Sequence, residues 1–121
     1  MKLNTNALKK KATLNDESYF TVHAFMRNEL GLCGAQIIIY AIIYGFAKSG
    51  EAFTGSRKYL SEWIGSSLST VDLALTALID KGYILKNKCG SQVEYVINVG
   101  TLPYNSEHKA MVDTYNREKM A

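Results

Sequence analysis

Arg57 and Lys58 follow Gly55-Ser56 where apolar residues begin to recur at helical spacing, as Leu60, Trp63 and Ile64. Ser56 is a suitable N-cap, which sets two cationic side chains beside the free backbone amides of a first helical turn. The macrodipole disfavours cations there by roughly 0.3–1 kcal/mol. A phosphate bound at that end would relieve the penalty and use the amides as well. The plain alternative is a pair of ordinary surface residues.

A second group of interest follows Gly65-Ser66. Ser67 can cap a helix reaching about Lys81, whose apolar stripe is Val71, Ala74, Leu75 and Leu78. At 100° per residue the opposite face carries Ser69, Thr70, Leu73, Thr76, Ala77 and Asp80. Base reading in duplex DNA leans on Arg or Lys for guanine and on Asn or Gln for adenine, and this face has none of them. Its hydroxyls can bond phosphates or bases with little selectivity, and Leu73 can touch a thymine methyl. The competing reading makes Leu68, Leu73 and Ala77 a contact patch for a protein partner or a second copy of the chain. Lys86 and Lys88 form a third group, able to reach a nucleic-acid backbone or simply to blunt a strand edge.

Other chemistry finds little support. Nothing in the spacing of Ser66, His23 and Asp72 supports a nucleophilic triad, and there is no glycine-rich phosphate loop or paired acidic motif. Cys33 and Cys89 lack partners at metal-ligand spacing and make no disulfide framework, which suits a reducing cytoplasm. Cys33 lies near a helix start, but a small buried cysteine is the ordinary reading. His23 and His108 are isolated, structural or exposed. No catalytic residue, metal, cofactor or small-molecule ligand is expected, and the chain is not expected to be an enzyme.

These groups need a scaffold. With 121 residues, 47% hydrophobic, the sequence suits one globular core. No secretory signal is visible in MKLNTNALKKKATLN. The longest apolar run, Ala35 to Ala47, is 13 residues, short of the roughly 20 a membrane span needs, and reads as a helix buried all round. Tyr40 and Tyr44 on it suit a core rim or dimer contact, and Trp63 suits the core. Net charge is +3: residues 1–15 carry Lys2, Lys9, Lys10 and Lys11 without an acid, while residues 35–82 balance. The excess therefore sits in an N-terminal arm and a later hairpin.

In order, the pattern predicts a flexible basic arm over 1–15, a short strand at 19–22, and a helix from His23 to Leu30. The buried helix follows, then a short strand at 52–54, and helices from Arg57 to Ile64 and from about Ser67 to Lys81. Strands at 83–86 and 93–99 flank a turn-rich connector at 87–92. Asn105 to Met120 is a final helix, capped by Asn105 or Ser106, or a tail. Two helices joined by a tight turn and followed by a hairpin make a helix-turn-helix with a wing. The fold class is mainly α with a small β-hairpin (α+β), a winged helix-turn-helix over 16–104 with 105–121 appended.

The segments FTVHAFMRNELGL (20–32), IIYAIIYGFAKSGEAFTGS (38–56), KYLSEWIGSS (58–67) and TVDLALTALIDKGYI (70–84) carry a resemblance. They resemble the N-terminal winged-helix domain of replication-initiator-like proteins of phages, plasmids and integrative elements from low-GC Gram-positive bacteria. The resemblance implies double-stranded DNA as partner, with the helix after Ser67 presented to the major groove and the hairpin on the backbone. Relatives usually carry Arg or Lys near the start of that helix, where this chain has Leu68 and Ser69. Engagement of Arg57, Lys58, Lys86, Lys88 and two arm lysines would make about six phosphate contacts, costing about 10³-fold in affinity between 50 and 200 mM salt.

Overall fold

Six consecutive residues, Ile39 to Tyr44, are buried on every side of one helix, and the other elements are arranged around them. The computed structural model describes residues 17–120. The expected basic arm and its four lysines lie outside the described residues. The elements are α1 (Ala24–Asn28), α2 (Gly34–Lys48), α3 (Arg57–Ile64), α4 (Leu68–Asp80), β1 (Ile84–Cys89), β2 (Gln92–Ile97) and α5 (Lys109–Met120), with a 3₁₀ turn over Val99–Thr101. The architecture is a winged helix-turn-helix, mainly α with one antiparallel hairpin.

Helix α2 touches α1, α3, α4 and β2. Leu60 of α3, Val71 and Leu78 of α4, and Ile84 of β1 are fully buried in the same core. Tyr40 and Tyr44, expected at a rim or dimer contact, are interior instead, at 0% and 1% exposure. The reason is positional: both fall in the middle of a helix that is covered all round. Trp63 is half-buried, with Phe20 edge-on at 4.9 Å.

Four local expectations are corrected. Residues 19–22 form no strand and pair with neither strand of the hairpin. One edge of β2 pairs with β1, and its other edge is taken at Tyr95 by Phe53 through two backbone hydrogen bonds of 2.9 Å. That single bridge is also all that remains of the strand at 52–54. The connector 87–92 is mostly ladder: Asn87 faces Glu94, Lys88 faces Val93 and Cys89 faces Gln92. Only Gly90-Ser91 turns, with Gly90 at φ +64°, so pairing across the hairpin overrides the turn preference of single residues. The last helix begins at Lys109, since Asn105 Oδ1 accepts the His108 N–H (2.9 Å) and holds a separate turn before it.

Helix α1 is also shorter than expected, ending at Asn28. Both cysteines are exposed, Cys33 as the N-cap of α2 and Cys89 at the end of β1, which corrects the expectation of a buried Cys33.

Candidate nucleic-acid interface

Helix α4 is set by its start. Gly65 adopts φ +64°, a left-handed conformation that glycine enters without a side-chain clash, and it ends α3 there. Two residues later Ser67 Oγ accepts the Thr70 N–H at 3.3 Å and opens α4. The turn between the helices is therefore tight, and α3 and α4 pack on each other. Val71, Ala74, Leu75 and Leu78 face the core. Ser69, Leu73, Thr76 and Asp80 are exposed on the opposite side, with Thr70 and Ala77 half-buried at its margins.

The hydroxyls on this face are not equivalent. Ser66 Oγ donates to Thr70 Oγ1 at 3.2 Å, and Ser67 Oγ lies 3.2 Å from the same atom. Ser67 and Thr70 are thus engaged in holding the helix start. Ser69 and Thr76 make no hydrogen bond with another described residue. Leu73 is 73% exposed and Leu68 is 43% exposed.

The cations divide in a similar way. Arg57 Nη1 is hydrogen-bonded to Asp72 Oδ2, so the anion beside the start of α3 is a carboxylate of α4. Asp72 sits on the flank of α4, and the pair ties the two helices across 15 residues of sequence. Lys58 is exposed and forms no ion pair among the described residues. Lys81, at the far end of α4, donates to Gln36 Oε1 at 2.8 Å.

Lys86 and Lys88 are exposed and unpaired among the described residues. They alternate with Leu85 and Asn87, so they share the ribbon face of buried Ile84. Across the ladder they oppose Tyr95 and Val93. Burial first, and then the charge of Asp72, push the Tyr95 hydroxyl above its ordinary value, with Arg57 acting in the other direction. Tyr95 is thus registered against Lys86 and feels the charges of both Arg57 and Asp72.

A second polar group was not foreseen. Glu107 Oε2 accepts from the Tyr44 hydroxyl (2.9 Å) and from His23 Nδ1 (2.9 Å), with Lys48 Nζ at 3.5 Å. His108 is fully buried, its Nδ1 donating to Pro103 O (2.8 Å) and its Nε2 lying 2.8 Å from Tyr44 Oη. Burial alone would push the Glu107 carboxyl up. The Tyr44 hydroxyl outweighs it, together with His23 and Lys48, and the carboxyl is held below its ordinary range. The group fastens the segment before α1, the end of α2 and the approach to α5. Its partners lie 63 and 64 residues apart in sequence, so no local spacing announces it.

Among the described residues no group of three or more His, Cys, Asp or Glu is placed to hold a metal ion. No described helix is long and apolar enough to cross a membrane. No curated protein and no solved structure matches this chain. A family model described as a helix-turn-helix domain matches residues 30–84, from the turn after α1 to the first residue of β1. Residues 30–84 therefore form a helix-turn-helix domain, the hairpin after them completes a winged helix, and the match points to DNA binding.

Proposed function

We propose that this chain binds double-stranded DNA mainly through phosphate contacts, in a replication-initiation or transcription-regulatory role on a mobile element. Helix α4 lies toward the major groove with Ser69, Leu73 and Thr76 outward, and Lys86 and Lys88 of the hairpin meet the sugar-phosphate backbone. The observation that carries this reading is the exposed face of α4 on a molecule whose Lys58, Lys86 and Lys88, exposed and without an ion pair among the described residues, are available for phosphates. The mobile-element role rests on the resemblance of the segments within 20–84 to initiator-like domains. A cytoplasmic location accords with that role.

The structure changes the expected contact list. With Arg57 held by Asp72, three of the four described cations expected to meet phosphates form no ion pair among the described residues, and each phosphate contact contributes about 0.9 to the slope of log affinity against log salt. Ser67 and Thr70 contribute through the helix start they hold, and Ser69 and Thr76 through free hydroxyls. Fluorescence anisotropy with a random-sequence duplex at low salt tests the reading. Binding with a slope of about −3 or steeper supports it, and the absence of binding at roughly tens of micromolar protein overturns it.

The second reading is a protein contact, or a homodimer, through Leu68, Leu73 and Ala77. The exposure of Leu68 and Leu73 favours it. Light scattering on the wild type and on Leu73→Glu separates the two: association lost in the variant supports the contact, and a wild-type monomer removes the homodimer.

A further inference from the structure

We infer that Leu73 reads the 5-methyl groups of pyrimidines in the major groove, so that the duplex this chain prefers is one rich in thymine. The inference rests on the DNA-binding reading and supplies what that reading lacks, a chemical basis for sequence preference.

The major groove offers four kinds of signal: acceptors on guanine, a donor on cytosine, a donor with an acceptor on adenine, and on thymine a methyl beside an acceptor. Arg, Lys, Asn and Gln, which discriminate among the polar signals by paired hydrogen bonds, are all missing from the outward face of α4. The free hydroxyls of Ser69 and Thr76 both donate and accept, and so distinguish bases poorly. Asp80 stands at the last residue of the helix, beyond the early turns that a helix-turn-helix offers to base edges. Apart from Leu68 at the helix start and Asp72, which is held by Arg57 on the flank, what remains on those turns is the isobutyl group of Leu73, with 73% of its surface in water. An aliphatic branch gains by covering a methyl and gains nothing from the bare C5 edge of cytosine.

The surroundings favour DNA over protein as the occupant. Ser69 and Thr76 flank Leu73, and Ala77 beside it is already half-buried. The other large exposed hydrophobics, apart from Leu68 at the helix start, are Tyr19, Val22, Leu85 and Tyr104, all on other segments. A stable protein interface buries about 800 Å² on each partner, far more than one leucine and a few hydroxyls supply. Unpaired lysines on α3 and the hairpin complement a polyanion.

Equilibrium anisotropy on four duplexes tests the idea with the wild type and Leu73→Ala. One pair is an alternating A·T duplex and the same duplex with uracil for thymine. The other is a G·C duplex and its 5-methylcytosine form. Covering one methyl is expected to change affinity about fourfold. Wild type should bind thymine over uracil and methylated over unmethylated cytosine by that factor per contacted methyl. Leu73→Ala should lose both preferences while keeping the salt slope, since its phosphate contacts are untouched, and circular dichroism checks that its helix content is intact. A thymine preference without a methylcytosine preference would reflect A·T groove shape and would overturn the inference. So would discrimination that survives in Leu73→Ala, or four equal affinities, both of which leave the DNA reading standing. Failure to bind any duplex overturns the DNA reading itself.

Discussion

Tyr40 and Tyr44 stack one helical turn apart, ring centroids 6.4 Å apart and planes 18° from parallel, yet their buried hydroxyls differ in circumstance. Tyr44 Oη donates to Glu107 and stands against His108 Nε2. Tyr40 Oη is buried without a hydrogen-bond partner among the described residues. Removing the two hydroxyls should therefore have opposite signs. Tyr44→Phe leaves Glu107 and His108 short of a partner and should cost about 1–3 kcal/mol. Tyr40→Phe removes a desolvated, unpaired group and should be neutral or stabilising by up to about 1 kcal/mol. Urea unfolding of both variants checks the pair, and amide exchange in Tyr44→Phe should accelerate first near the start of α5.

The same network sets a pH dependence. Glu107 is held below its ordinary range in the folded protein, so it binds protons less readily folded than unfolded. Its contribution is present above the unfolded value, about pH 4.3, and is lost as pH falls through the folded value. Acidification below about pH 4 should release His23 and Tyr44 from the carboxylate and loosen α5. Glu107→Gln keeps an acceptor but cannot titrate, so it should flatten that part of the stability profile. An unchanged acid limb in the variant would assign the loss to other carboxylates.

Two glycines make a further contrast. A Cβ on Gly55 would meet the Phe53 ring at 2.6 Å, and that ring is fully buried between Phe46 and Tyr59. Gly55→Ala should overpack the core at a cost of about 1–3 kcal/mol. Gly45 lies inside α2 on its exposed side, with nothing within 4 Å of a Cβ. Gly45→Ala should stabilise by roughly 0.5–1 kcal/mol through helix propensity alone. Thermal melts of the two variants should shift in opposite directions.

What could be read from the sequence was what local rules determine. Ser56 and Ser67 each accept the amide three residues on, and the stripe from Val71 to Leu78 faces inward, because capping and helical periodicity act over a single turn. Chain partners distant in sequence escaped. Asn87 and Lys88 read as turn formers and are strand residues because Glu94 and Val93 lie opposite them. His108 reads as an isolated histidine and is buried because Tyr44 Oη and Pro103 O each lie within hydrogen-bond distance of one of its ring nitrogens. Arg57 reads as a free cation at a helix start, and its charge is taken by a carboxylate that only the packing of α3 on α4 brings near.

That last pairing leads to the most direct test of how the interface is tuned. Asp72 neutralises Arg57 at the start of α3, so on the proposed reading it opposes DNA binding twice, by occupying a cation and by repelling phosphates. Asp72→Asn should free Arg57 for a phosphate while preserving the size and polarity of the side chain. Affinity for a random duplex should rise severalfold at low salt, and the salt slope should steepen by about 0.9, the signature of one added phosphate contact. Stability should change little, because both side chains are about half exposed and such pairs contribute weakly. Arg57→Gln should lower affinity, because it leaves the Asp72 carboxylate uncompensated, and combined with Asp72→Asn it should remove the steepened salt slope. A gain that persists in the double variant would assign the effect to lost repulsion alone, with no part for Arg57.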